Sequence, residues 1–158
     1  MAKLTGFRSV AVTTAVVFAA TAALAAGLNA ADTIKARHDH FKELGGAAKA
    51  IGDQLKSGSP DAAIVKANAA KLAQLGSALP TWFPAGSGPE SGVKTRALPL
   101  IWSDPAGFSA AAKTLATETA KLNTVAASGN MAGVGAQMQA VGAACGGCHK
   151  KFRGPENS

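Results

Sequence analysis

Tyrosine is absent from this 158-residue chain, and aromatic residues make up only 5% of it. β-Branched residues are sparse outside the first 30 positions, whereas alanine occurs 37 times. Such a chain is a poor sheet former and a good helix former. That excludes sandwiches, barrels and doubly wound α/β folds. Two cysteines are too few for a small disulfide scaffold. Acidic residues are also scarce: 9 Asp and Glu against 16 Lys and Arg leave a net charge of +7. The charge is not a nucleic-acid footprint, because no basic run exceeds Lys150-Lys151 and no aromatics interleave with the cations. Lysines of this kind solvate the backs of helices, and their net charge suits acidic partners. The length fits one domain, and there is no internal repeat.

The first stretch reads as an address. Lys3 and Arg8 form a positive n-region, Val10 to Ala26 is an uncharged run, and Ala23-Leu24-Ala25 fits the small-x-small cleavage rule. An uncleaved anchor is the alternative, but about 17 apolar residues lie at the short limit for a span. Residues 1–25 are therefore expected to be a cleaved signal peptide, with Ala30 as the weaker cleavage site, and residues 26–158 the working domain. Cleavage removes two cations and no acid, leaving 14 basic residues against 9 acidic, or +5. The expected destination is the periplasm, with no membrane attachment afterwards.

The remainder predicts an all-α fold, an antiparallel four-helix bundle with a long Pro/Gly-rich crossover between helices B and C. Helix A is expected from Asp32 to Lys56, its apolar stripe being Ile34, Phe41, Leu44, Ala48, Ile51 and Leu55. Ser59 is the expected N-cap of helix B, with Pro60 at its first position. Helix B carries Ile64, Val65, Leu72, Leu75 and Leu79, and Pro80 ends it. Residues 80–103 hold four prolines, three glycines and both tryptophans. A loop this long is functional or disordered, and two tryptophans with Phe83 and Ile101 argue for an ordered one. Helix C starts at Asp104-Pro105 and carries Phe108, Ala111, Leu115, Leu122 and Val125; Ser128-Gly129-Asn130 turns the chain. Helix D has the cleanest pattern: Met131, Val134, Met138, Val141, Cys145, Cys148 and Phe152 step by three and four, a heptad seam holding both cysteines. Five glycines in this helix cost about 1 kcal/mol each relative to alanine and leave room for something bulky beside its backbone.

Cys145-Gly146-Gly147-Cys148-His149 is C-x-x-C-H, the attachment signature for c-type haem. Two thiols must add to two vinyl groups on one porphyrin edge, and residues three apart on a helix share a face. His149 can then reach the iron as proximal ligand. A thioredoxin-like pair would need a βαβ context near the N-terminus. A tetrahedral zinc site needs four ligands, and the spare histidines, His38 and His40, face about 200° apart on a helix. A plain disulfide gains nothing on a helical seam.

In this motif and several other segments the sequence resembles the cytochrome c′ family. The resemblance rests on residues 145–153, on the loop Phe83 to Ala97, on Leu98-Pro-Leu-Ile-Trp102 and on Arg37-His-Asp-His-Phe41, and it covers essentially all of the chain after the leader. It implies one covalent haem c bonded through Cys145 and Cys148, with His149 on the iron. It also implies a periplasmic protein, often a homodimer paired through helices A and B. Arg37 and Arg153 become candidates for haem propionates or for guarding a haem face, Thr95 for a haem contact, and Trp102 for packing near the haem.

By the same resemblance Phe41 stands where low-spin relatives carry a methionine ligand. Phenylalanine has no lone pair to offer. Met138 shares a helix with His149 and lies about 16 Å from it along the axis. The implied haem is five-coordinate and largely high-spin, open to NO and CO once Phe41 swings aside. Two roles fit, electron transfer to acidic redox proteins and gas binding, and neither is enzymatic. Peroxidase-like catalysis lacks an obvious distal acid–base group unless His38 or His40 serves. The alternative is a low-spin electron carrier with His38, about 60° round the helix from Phe41, as sixth ligand.

Overall fold

The computed structural model describes the backbone of residues 14–155 and the side chains of residues 29–155. Four long helices dominate it: α1 (Thr14–Lys56), α2 (Ala62–Ala78), α4 (Pro105–Ala127) and α5 (Met131–Phe152), with the short α3 (Leu100–Ser103) in the crossover. These are the expected helices A to D with one added turn. No strand occurs among the described residues, only an isolated bridge between Ala97 and Arg153. The n-region around Lys3 and Arg8 lies outside the described residues. Helix α1 begins at Thr14 rather than Asp32. The intervening segment is alanine-rich and lacks proline, so nothing in it stops a helix. Among the described residues no helix is long and apolar enough to cross a membrane.

The helix starts depend on their caps. Asp104 accepts from the Gly107 N–H at 2.9 Å and Asn130 from the Gly133 N–H at 2.9 Å, each satisfying a donor the helix leaves unpaired. At α2 the cap is Asp61, not Ser59: its carboxylate accepts from both Ala63 and Ile64, while Gln54 accepts from the Asp61 N–H. A charged acceptor serving two donors beats a hydroxyl at this dipole end. The turn before it passes through Gly58 at φ +73°, and the α4–α5 turn through Gly129 at φ +78°, conformations that favour glycine.

Three of the four long-helix seams are closely packed: α1 on α2, α2 on α4, and α4 on α5. Cross-helix pairs set the antiparallel register, with Glu43 facing Lys71 at 3.4 Å, and Glu118 facing Gln137 and Asp104 facing Lys151 at 2.6 and 2.8 Å. The fourth seam, between α1 and α5, is nearly open. Ile51, Val65, Leu72, Leu122, Val134 and Val141 are the largest apolar side chains fully buried in the core, each contributing roughly 1.5–3 kcal/mol by leaving water. Ile64 departs from its expected stripe and is 41% exposed. Adjacent helical residues point about 100° apart, and Val65 takes the inward place in line with Ala69 and Leu72.

The crossover is ordered, as its tryptophans imply. Trp82 is buried in a short 3-10 turn (Leu79–Trp82), and a second such turn spans Pro89–Ser91. Phe83 meets Phe41, Trp102 and Phe108 edge-on, with ring centroids 6.1, 6.2 and 4.9 Å away. Each such pair adds about 0.5–1.5 kcal/mol beyond its buried area. The Trp102 indole N–H donates to the Pro84 carbonyl at 3.2 Å.

The shifted α2 cap has a measurable consequence. Asp61→Ala should cost about 1 kcal/mol in urea unfolding. Ser59→Ala should cost almost nothing; a larger loss there would return the cap to Ser59.

Candidate functional site

The residues singled out from the sequence lie on the Arg37–Phe41 segment of α1, on the crossover and on the end of α5, with the side chains of His38 and Arg153 exposed. Cys145 and Cys148 stand one helical turn apart on α5. Both are free, half-buried and packed against the core, so they share one face. Burial pushes both thiols above the ordinary thiol range. The next residue, His149, is half-buried. Burial first, then the cations Arg153 and Arg96, lowers its pKa. That favours the neutral imidazole, the form with a lone pair for a metal. A Cβ at Gly146 or Gly147 would meet nothing within 4 Å. On one flank Cys148 borders an open groove of about 470 Å³, lined chiefly by the small side chains Ala111, Ala140, Ala143 and Ala144.

The chain following His149 is strapped down. Phe152 is buried against Phe108, centroids 5.4 Å apart. The Leu98 N–H donates to the Phe152 carbonyl at 3.1 Å, the Gly154 N–H to the Arg96 carbonyl at 2.7 Å, and Arg96 Nε to the Gly154 carbonyl at 3.0 Å. Lys151 Nζ reaches the Asp104 carboxylate that caps α4. Arg153 pairs through its backbone with Ala97 while its side chain is exposed.

Arg37 is only 4% exposed. Its guanidinium donates to Ser87 Oγ at 3.0 Å, to the Ser87 carbonyl at 2.9 Å and to Thr95 Oγ1 at 2.9 Å, and it lies 4.7 Å from the Phe83 ring centroid. No carboxylate among the described residues hydrogen-bonds it. Its pKa falls through burial, opposed by the charge of Glu90. Trp102 is half-buried beside Phe83.

One turn after Arg37, Phe41 is half-buried and meets Trp82 edge-on at 5.2 Å. The His38 side chain is 79% exposed and lies 3.9 Å from Asp39. His40 stacks on Trp82 at 4.8 Å. Sequence reasoning missed the roles of His40, Ser87 and Arg96, because their partners lie tens of residues away and no local pattern marks them.

Paired thiols on one helical face, an imidazole beside them, uncrowded glycines and a nearly open helix seam together fit a flat macrocycle attached through two thioethers. A four-helix c-type cytochrome is the class these features define. Residues 32–153 match the family model described as Cytochrome C', and the chain belongs to the cytochrome c′ family. It is 39% identical over 93 residues to a cytochrome c′ of Rubrivivax gelatinosus, covering 59% of this chain and 70% of that protein. It is 35% identical over 134 residues to a cytochrome c-556 of Agrobacterium fabrum, covering 82% and 86%. Among solved structures, the cytochrome c′ from Rubrivivax gelatinosus superposes with a TM-score of 0.72 at 32% identity, over 78% of this chain and 96% of that one. A nitric oxide complex of a cytochrome c prime variant from Alcaligenes xylosoxidans superposes with a TM-score of 0.71 at 28% identity, over 78% and 95%. Membership makes this chain a c-type cytochrome with a four-helix fold.

Asp104 couples the site to pH. Lys151, and then the Gly107 N–H, hold its carboxyl below the ordinary carboxylate range. A depressed folded-state pKa gives stability that is present above the unfolded value near 4 and is lost as pH falls through the folded one. Asp104→Asn should therefore flatten the acid side of the stability profile in urea titrations between pH 6 and pH 3. An unchanged slope would contradict the pairing.

Proposed function

We propose that the chain carries one haem c, bonded through Cys145 and Cys148 and ligated by His149, with no protein ligand on the opposite face. The haem, when bound, supplies a one-electron redox couple and a coordination position open to small gases. The observation that carries this reading is on α1. At the crossover end Phe41 is half-buried and has no lone pair, the half-buried His40 beside it is stacked on Trp82, and His38 is largely in solvent. Phe41 screens the distal face: NO or CO would enter as its ring moves aside, and charged ligands would have to shed their hydration. Thr95 and Trp102 support the wall of the pocket, and the exposed Arg153 supplies positive charge for the propionates, while Arg37, its donors engaged by Ser87 and Thr95, holds the crossover. Among the described residues His40 is stacked on Trp82 and His38 is largely in solvent, which supports carrying electrons or binding gas rather than turnover.

Lys94, Arg96, Lys150 and Arg153 lie on the crossover or the end of α5, and this basic rim suits transient docking of an acidic redox protein. The exposed Ile64 on α2 suits pairing of two copies through α1 and α2. A neighbouring solved structure is described as a cytochrome c′ with ligand-controlled dimer dissociation. The leader at 1–25 and the family together support a periplasmic location.

Optical spectra of the oxidised and reduced holoprotein, with and without NO, test the reading. High-spin spectra that change on adding NO are expected, and Phe41→Met should convert them to low-spin. Low-spin spectra of the unaltered protein in both redox states would mean a sixth protein ligand, with His38 the first to substitute.

A further inference from the structure

Four consecutive crossover residues, Thr95 to Leu98, are held from both sides. From α1, Arg37 donates to Thr95 Oγ1 at 2.9 Å. Within the segment, the Ala97 N–H donates to the same oxygen at 3.2 Å. From the other side, Arg96 and Leu98 exchange backbone hydrogen bonds with Phe152 and Gly154, and the Arg153 N–H donates back to the His149 carbonyl at 3.1 Å. A path of hydrogen bonds and intervening backbone thus runs from Arg37, one turn from Phe41, to His149. The direct seam between α1 and α5 is nearly open, so the two helices are joined at this end mainly through the crossover.

We propose that Thr95 is a positioning residue that couples the Phe41 face of the pocket to the seat of His149. Its hydroxyl oxygen accepts at once from Arg37 on α1 and from Ala97, whose neighbours Arg96 and Leu98 pair with the end of α5, so displacement of α1 is passed to the backbone that fixes His149. The roles of Phe41 and His149 are those given under the proposed function. The mechanical link does not depend on them, because it is made of this chain's own hydrogen bonds.

The test perturbs one end and reads the other. In the holoprotein, Arg37→Lys and Thr95→Val should each speed amide exchange at Leu98 and Gly154 by about tenfold, the factor expected for one lost buried hydrogen bond. Exchange at Leu122, buried in α4, should change far less. The double variant should show little beyond either single one, since both break the same link. Thr95→Ser should restore slow exchange, and the iron–histidine stretching band in resonance Raman should shift in Thr95→Val and return in Thr95→Ser. The proposal is overturned if Arg37→Lys leaves Leu98 and Gly154 unchanged, if its effect adds to that of Thr95→Val, or if Leu122 accelerates equally. A chain that takes up no haem would refute the proposed function, while the exchange cycle on that chain would still decide the coupling.

Discussion

A guanidinium buried without a hydrogen-bonded carboxylate is costly unless its donors are used, and Arg37 uses them on the crossover. The rest of the site depends on that bargain. A crossover spanning residues 79–104 between α2 and α4 would be a floppy loop if its backbone polar groups faced only water. Arg37 gives Ser87 and Thr95 a common partner, and Phe83 lies against the face of the same cation. Once those positions are fixed, Phe83 and Trp102 fall into edge-on contact, and Arg96 and Leu98 are presented to the end of α5. Leaving one seam of a bundle nearly open sacrifices apolar burial, and the anchored crossover takes over part of what that seam would have done.

Two differently built walls result. The α5 wall is firm: Phe152 is buried, the following residues pair with the crossover, and Lys151 ties the turn to the cap of α4. The α1 wall presents aromatic rings rather than ligands, with Phe41 in edge-on contact with both Trp82 and Phe83. A firm wall suits a metal-ligating histidine, whose orientation is set by what its neighbours hold. A wall of rings suits a face that small ligands approach, because a ring can turn aside without breaking a hydrogen bond.

What could be read from the sequence was what depends on neighbours in the chain. The C-x-x-C-H spacing, the heptad seam of α5 and the Asp104-Pro105 start are local, and local sterics and hydrogen bonding decide them. The order of the crossover was legible from its tryptophans, since such large apolar surfaces need a place to bury. The α2 cap moved from Ser59 to Asp61 because two good cap residues stood two apart, and which one faces the helix depends on how Gln54 closes the preceding turn. Ile64 and Val65 competed for one inward position, and Val65 took it. The start of α1 moved because an alanine-rich segment carries no stop signal. The partners of Arg37 were not legible at all. Ser87 and Thr95 lie 50 and 58 positions away, and a lone arginine on a helix reads as a solvated charge until the fold brings acceptors to it.

The central claim is that the Cys145–His149 turn is where the cofactor is attached. The most direct measurement is peptide mass spectrometry of the holoprotein expressed with a haem-maturation system. One haem mass on the peptide spanning Cys145 to His149, lost in the Cys145→Ser, Cys148→Ser double variant, is the predicted result. A haem-free peptide with both thiols available for alkylation would contradict the account.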